Sequence, residues 1–112
     1  MMITTHVLDT VSGNPVNDME ITLSRLEDSK WVIIGSARTN KDGRCLDVCP
    51  NGTFLGEGSY RMHFSTATYF INNNHPVFYP YIEIVFNIGN DGQHYHIPLL
   101  LSPCGYTTYR GS

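Results

Sequence analysis

Short apolar runs with a period of two dominate this chain. Met19, Ile21 and Leu23 alternate with Glu20, Thr22 and Ser24. Tyr60, Met62 and Phe64 alternate with Arg61, His63 and Ser65, and Ile82, Ile84, Phe86 and Ile88 with Glu83, Val85 and Asn87. Neighbouring side chains on a strand point to opposite faces, so each run describes a strand with one buried face. Between the runs stand Ser12-Gly13-Asn14-Pro15, Glu27-Asp28-Ser29-Lys30, Asn40-Lys41-Asp42-Gly43 and Asn90-Asp91-Gly92. Asn, Asp and Gly tolerate positive φ and Pro presets φ, so these clusters turn the chain.

The pattern predicts strands over residues 3–10, from Met19 to the turn at Glu27, and over 31–38, 44–48, 60–64, 82–88, 93–101 and 106–109. The second and third form a hairpin. Residues 50–59, with Gly52, Gly56 and Gly58, read as a loop, and 76–80 as a stiff aromatic connection. Residues 66–74 break the alternation and predict one or two helical turns around Tyr69, Phe70 and Ile71. About eight strands and one short helix predict an all-β, two-sheet β-sandwich. A length of 112 residues suits one domain over 1–112, without a repeat or linker.

Composition removes several function classes. With 41% hydrophobic and 15% charged residues the chain can build a core. A net charge of −3 without a basic stretch speaks against nucleic-acid binding. Residues 97–101 are the longest apolar run, far short of a membrane span. The opening Met1-Met2-Ile3-Thr4-Thr5-His6 lacks the look of a secretory signal, which predicts a cytoplasmic protein. An odd count of three cysteines, Cys45, Cys49 and Cys104, speaks against a disulfide scaffold. Asn51-Gly52-Thr53 matches the glycosylation sequon and reads as coincidence without such a signal.

Several polar residues stand out against the pattern. His94 and His96 are two apart and share a face opposite Tyr95, Ile97, Leu99 and Leu101, which form the core face. Such a pair is half a zinc site, an acid/base pair or an exposed polar face, and the last is the commonest case. Zinc needs a third ligand, for which His6 is the candidate. Arg44 follows an Asp-Gly turn. It is either a solvated charge or a guanidinium held at a strand end for an anion or developing oxyanion. His63 and His75 read as structural or surface residues. The tail, residues 106–112, stays strand-forming and ends in Tyr109-Arg110-Gly111-Ser112, so it reads as frayed or docked into a site.

Taken in order, these segments resemble the transthyretin-like family. His6-Val7-Leu8-Asp9-Thr10, Gly13-Asn14-Pro15 and Thr39-Asn40-Lys41-Asp42-Gly43-Arg44 match its successive blocks. His94-Tyr95-His96-Ile97-Pro98-Leu99-Leu100-Leu101-Ser102-Pro103 resembles its most recognisable segment, and Tyr109-Arg110-Gly111-Ser112 the ending of its 5-hydroxyisourate hydrolase branch. The resemblance covers nearly the whole chain. It implies a transthyretin-type sandwich, a homotetramer with sites where subunits meet, and hydrolysis of 5-hydroxyisourate in urate degradation. It implies no metal and no organic cofactor. Its catalytic positions fall on His6, Arg44, His96 and Ser112, with Tyr109, Arg110 and Gly111 lining the substrate site. One departure is Cys104, where the family carries an aromatic residue, and looser packing beside the site is the expectation.

The chemistry fits the residues. Hydrolysis of a cyclic amide needs an activated water, a stabilised oxyanion and a proton for the leaving nitrogen. His6 or His96 is the base, Arg44 holds the oxyanion, and the other His or Ser112 protonates the nitrogen. Competing readings are a small-ligand carrier of the transthyretin type, a zinc hydrolase using His6, His94 and His96, and a structural sandwich.

Overall fold

The computed structural model describes residues 3–46, 48–49 and 55–112. The sequon Asn51-Gly52-Thr53, the start of the predicted 50–59 loop, and Met1 and Met2 lie outside the described residues. The described strands are β1 (Ile3–Asp9), β2 (Glu20–Glu27), β3 (Lys30–Arg38), β4 (Arg44–Cys45), β5 (Gly58–Phe64), β6 (Ile82–Ile88), β7 (Tyr95–Leu101) and β8 (Tyr106–Thr108). One helix, α1 (Ala67–Asn72), lies between β5 and β6.

Two four-stranded sheets have the orders β4-β1-β7-β8 and β3-β2-β5-β6. The expected sandwich is therefore present. Its inner faces are the alternating residues of the sequence. Ile3 and Val7 of β1 and Tyr95, Ile97, Leu99 and Leu101 of β7 are buried with Ile21, Leu23, Tyr60, Met62, Phe64 and Ile82 of the other sheet. Asp28 and Ser29 both take positive φ (50° and 66°), which makes the tight primed turn of the β2–β3 hairpin.

Three expectations need correction. The strand expected over 44–48 is only Arg44–Cys45, although the Val48 N–H still reaches the Ile3 carbonyl at 3.1 Å. Gly58 and Ser59 belong to β5, not to the preceding loop. The seventh strand begins at Tyr95, so His94 stands just ahead of it. The Thr66 hydroxyl donates to the Tyr79 carbonyl at 2.6 Å and ties α1 to the stiff 76–80 connection.

Asp9, at the end of β1, is buried, and its carboxylate accepts the Val11 and Ser12 N–H groups and the Tyr69 hydroxyl from α1. Burial by itself would raise the Asp9 pKa. The Tyr69 hydroxyl and the Ser12 and Val11 N–H groups outweigh it and hold the carboxyl below 3.8. Tyr69 is correspondingly pushed up, by burial and by Asp9.

The pairing that matters for function is parallel. β1 and β7 run together in register, with Thr4 opposite His96 and His6 opposite Pro98. On its other edge β1 meets β4, with His6 opposite Arg44. Partners in register share a face, so Thr4, His6, Arg44 and His96 all stand on the outer face of this sheet.

Candidate active site

Arg44 reaches this face through a rigid turn. The Asn40 side-chain oxygen accepts the Asp42 N–H at 2.9 Å and the Arg44 N–H at 3.0 Å. The Asn40 N–H donates to the Arg44 carbonyl at 2.8 Å and the Val7 N–H to the Gly43 carbonyl at 2.8 Å. Gly43 has φ +75°, and a Cβ there would stand 2.5 Å from the Val7 carbonyl oxygen and 2.8 Å from Pro15 Cβ. Only glycine lets the turn lie this close to β1. The Asp-Gly pair that marked a turn in the sequence thus sets Arg44 beside His6.

His96 is half-buried. Its Nδ1 lies 2.7 Å from the Thr4 hydroxyl, and the same hydroxyl lies 2.7 Å from His94 Nε2. Among the described residues His96 Nε2 has no hydrogen-bond partner and is the nitrogen left for chemistry. The tail docks on this residue. The Gly111 N–H donates to the His96 carbonyl at 2.8 Å, and a Cβ at Gly111 would stand 2.5 Å from His96 Cδ2. Gly111 therefore lets the chain lie close against the imidazole.

Thr4, Thr5, Arg44, Leu46, His94, His96 and Ser112 line a hollow of about 170 Å³. His6 stands on the same face but does not line it. Burial first, and then the charges of Arg44, His94 and His6, hold the His96 pKa below 6.5. His96 is thus a neutral base through the neutral pH range.

The tail divides at Gly111. Tyr109 and Arg110 line a second hollow of about 250 Å³, floored by Tyr95 and Ile97 and touching the first at His96. The Arg110 guanidinium sits 4.6 Å over the Tyr95 ring and donates to the Gln93 side-chain oxygen at 2.9 Å. A larger hollow of about 430 Å³, between Asn17–Glu20 and α1, has no histidine in its lining. Cys104 is exposed at the turn closing β7, at the far end of that strand from His96, so the expected looser packing beside the site does not arise.

Among the described residues no three His, Cys, Asp or Glu side chains converge as metal ligands. Thr4 engages one ring nitrogen of each of His94 and His96. The geometry gives the zinc reading no support. Thr4 was absent from the sequence-level candidates. Its signal was there, since Thr4 and His6 are two apart on one strand and so share a face.

Comparison with known proteins gives the family and the fold. The HIUase/Transthyretin family matches residues 3–111. The chain belongs to that family. It is 45% identical to mouse 5-hydroxyisourate hydrolase, covering 98% of this chain and 94% of that protein. A probable 5-hydroxyisourate hydrolase of Caenorhabditis elegans is 46% identical, covering 98% of this chain and 80% of that protein. The solved structure of the Klebsiella pneumoniae 5-hydroxyisourate hydrolase superposes with TM-score 0.84 at 32% identity, over 99% of this chain and 98% of the other. Sea bream transthyretin in complex with thyroxine superposes with TM-score 0.90 at 30% identity, over 99% and 95%. Within the family, fold does not separate hydrolase from carrier.

Proposed function

We propose that this chain hydrolyses 5-hydroxyisourate to 2-oxo-4-hydroxy-4-carboxy-5-ureidoimidazoline, with His96 as the base, Arg44 as the oxyanion partner, and His6 and Ser112 beside them. The carrying observation is the outer face of β4, β1 and β7, where Arg44, His6 and His96 stand together with His96 Nε2 open. His96 Nε2 takes a proton from water, and the water oxygen bonds to the ring carbonyl carbon. The tetrahedral oxyanion faces the Arg44 guanidinium, whose planar fork suits two oxygens. The carbon–nitrogen bond then breaks, and the nitrogen takes a proton from His6, Ser112 or the protonated base. Gly111 lays the tail against His96 and so brings Ser112 to this hollow, Tyr109 and Arg110 border the adjoining one, and positioning supplies much of the effect. No metal or organic cofactor enters these steps.

The active form in this proposal is a homotetramer with the site between subunits. A hollow of about 170 Å³ is small and open for a purine-derived substrate, and a second copy would wall it. Among the described residues β3, β4, β6 and β8 are the sheet edges and offer pairing surfaces, and exposed Leu46 and Tyr109 offer apolar contact. We place this single domain, residues 1–112, in the cytoplasm, which the odd cysteine count supports. No described helix is long and apolar enough to cross a membrane. The test is an ultraviolet assay of 5-hydroxyisourate freshly generated from urate, with His96→Ala beside the native chain. Faster decay that the variant loses supports the proposal. Decay at the spontaneous rate in folded protein would favour a small-ligand carrier instead.

A further inference from the structure

The geometry points to Thr4 and His94 as a proton relay behind His96, with Thr4 the positioning residue that couples the two rings. The inference rests on the hydrolase reading of the same site.

A hydroxyl carries one proton. The Thr4 oxygen lies 2.7 Å from His94 Nε2 and 2.7 Å from His96 Nδ1, so it donates to one ring and accepts from the other. This leaves two arrangements for neutral rings. In one, Thr4 donates to His94 Nε2 and accepts from His96 Nδ1–H, and His96 Nε2 carries a lone pair ready for water. In the other, Thr4 donates to His96 Nδ1 and accepts from His94 Nε2–H, and His96 Nε2 carries a proton ready for a leaving group. The hydroxyl forces both rings into the same tautomer, Nδ1–H in the first arrangement and Nε2–H in the second.

The reaction starts from the first arrangement, reverses both hydrogen bonds of Thr4 and adds one proton to His94. Water gives a proton to His96 Nε2, His96 Nδ1 gives its proton to Thr4 Oγ, and the Thr4 hydroxyl gives its proton to His94 Nε2. Three bonds to hydrogen break and three form. His96 ends neutral with its proton on Nε2, and His94 ends as the imidazolium. When the carbon–nitrogen bond breaks, His96 Nε2 gives its proton to the nitrogen and the chain of transfers runs back. The positive charge therefore rests on His94, which is exposed and hydrated. Without the relay it would rest on half-buried His96, next to Arg44 from β4 and His6 from β1, where burial and those charges oppose it. Thr4 suits the task because it is itself buried, at 7% exposure, with its hydroxyl between the two rings.

The test uses Thr4→Val, Thr4→Ser, His94→Gln and the double variant Thr4→Val/His94→Gln in the full chain. Valine keeps the shape of threonine and removes the hydroxyl. Thr4→Val is expected to lower kcat at least about 10-fold, below the full value of a catalytic acid–base group, with KM little changed. Thr4→Ser restores the rate. His94→Gln lowers kcat similarly, and the double variant is no worse than either single one, as for residues acting as one unit. Imidazole nitrogen NMR gives a readout independent of turnover. Both rings report Nδ1–H in the native free enzyme, and in Thr4→Val the His96 ring shifts to Nε2–H. Unchanged kcat in folded Thr4→Val, multiplicative losses in the double variant, or native tautomers without the hydroxyl would each overturn the relay. An inactive native chain would sink the hydrolase reading itself, whereas an active native chain with an unaffected Thr4→Val sinks the relay alone.

Discussion

Gly111→Ala separates the chemistry of the tail from its contribution to stability. The new Cβ would stand 2.5 Å from His96 Cδ2, 3.2 Å from His96 Cγ and 3.3 Å from Pro98 Cγ. Carbon atoms pack at about 3.5–4.0 Å, so the closest contact overlaps by about 1 Å. Pro98 is buried and does not move away. Either the imidazole shifts or the tail lifts. A shift of about 1 Å along the 2.7 Å bond from Nδ1 to Thr4 takes it past hydrogen-bond range. A reacting group misplaced by that much loses roughly 100-fold in rate. Stability changes little. The Gly111–His96 backbone bond is worth about 1 kcal/mol, and replacing glycine returns about 0.4–1 kcal/mol through the unfolded chain. The expected result in the ultraviolet decay assay is a kcat about 100-fold lower, with Tm within about 5 °C of native. A displaced ring leaves KM nearly unchanged, whereas a lifted tail that removes Ser112 raises it. Native kcat in Gly111→Ala, or a loss of activity that only tracks unfolding, would refute the reasoning.

Other outcomes follow from the same geometry. Arg44→Gln should lower kcat about 100–1,000-fold, as for loss of an oxyanion donor, and Arg44→Lys should restore only part because it lacks the planar fork. Because His96 is held below 6.5, activity should persist at pH 6.5 and fall only at lower pH. Removing the neighbouring charge favours the protonated ring, so NMR titration of Arg44→Gln should move the His96 midpoint upward. The unfolded chain takes up this proton near 6.5 and the folded chain does not, so urea titrations should show stability falling as pH drops from 6.5 towards the folded midpoint. Tyr69→Phe should cost about 1–3 kcal/mol at neutral pH in urea unfolding. Asp9 is held below 3.8, so its contribution is present above that value and is lost as pH falls through the folded pKa; the variant should begin acid unfolding at higher pH. Gly43→Ala should lower both Tm and turnover, because φ +75° and the 2.5 Å approach to the Val7 carbonyl oxygen strain the turn that carries Arg44.

Local chemistry made much of the molecule legible in advance. The alternation at Ile21 and Leu23 and at Tyr60, Met62 and Phe64 named the buried faces correctly, since period two leaves a strand no other way to hide those side chains. The turns at Asp28-Ser29 and Gly43 were readable because positive φ selects few residue types. Strand ends were less readable. β4 stops after Cys45 and β7 starts after His94 because ladder length depends on the neighbouring strand, which a run of residues does not reveal. The candidates His6, Arg44, His96 and Ser112 came from resemblance to known blocks, since spacing alone left a polar face, a zinc site and an acid/base pair all open.

By itself the sequence determined which residues face inward, where the chain turns and which side chains are available for chemistry. These follow from side-chain periodicity and backbone sterics, which act over a few residues. The tertiary structure alone decided that Thr4 and His96, 92 residues apart, meet across a parallel pairing of β1 and β7. It alone decided that one hydroxyl links two histidines and that Gly111 lies against the imidazole. Such contacts form when two distant strands bury their apolar faces in a common core, and that energy belongs to the whole sheet and to no local segment.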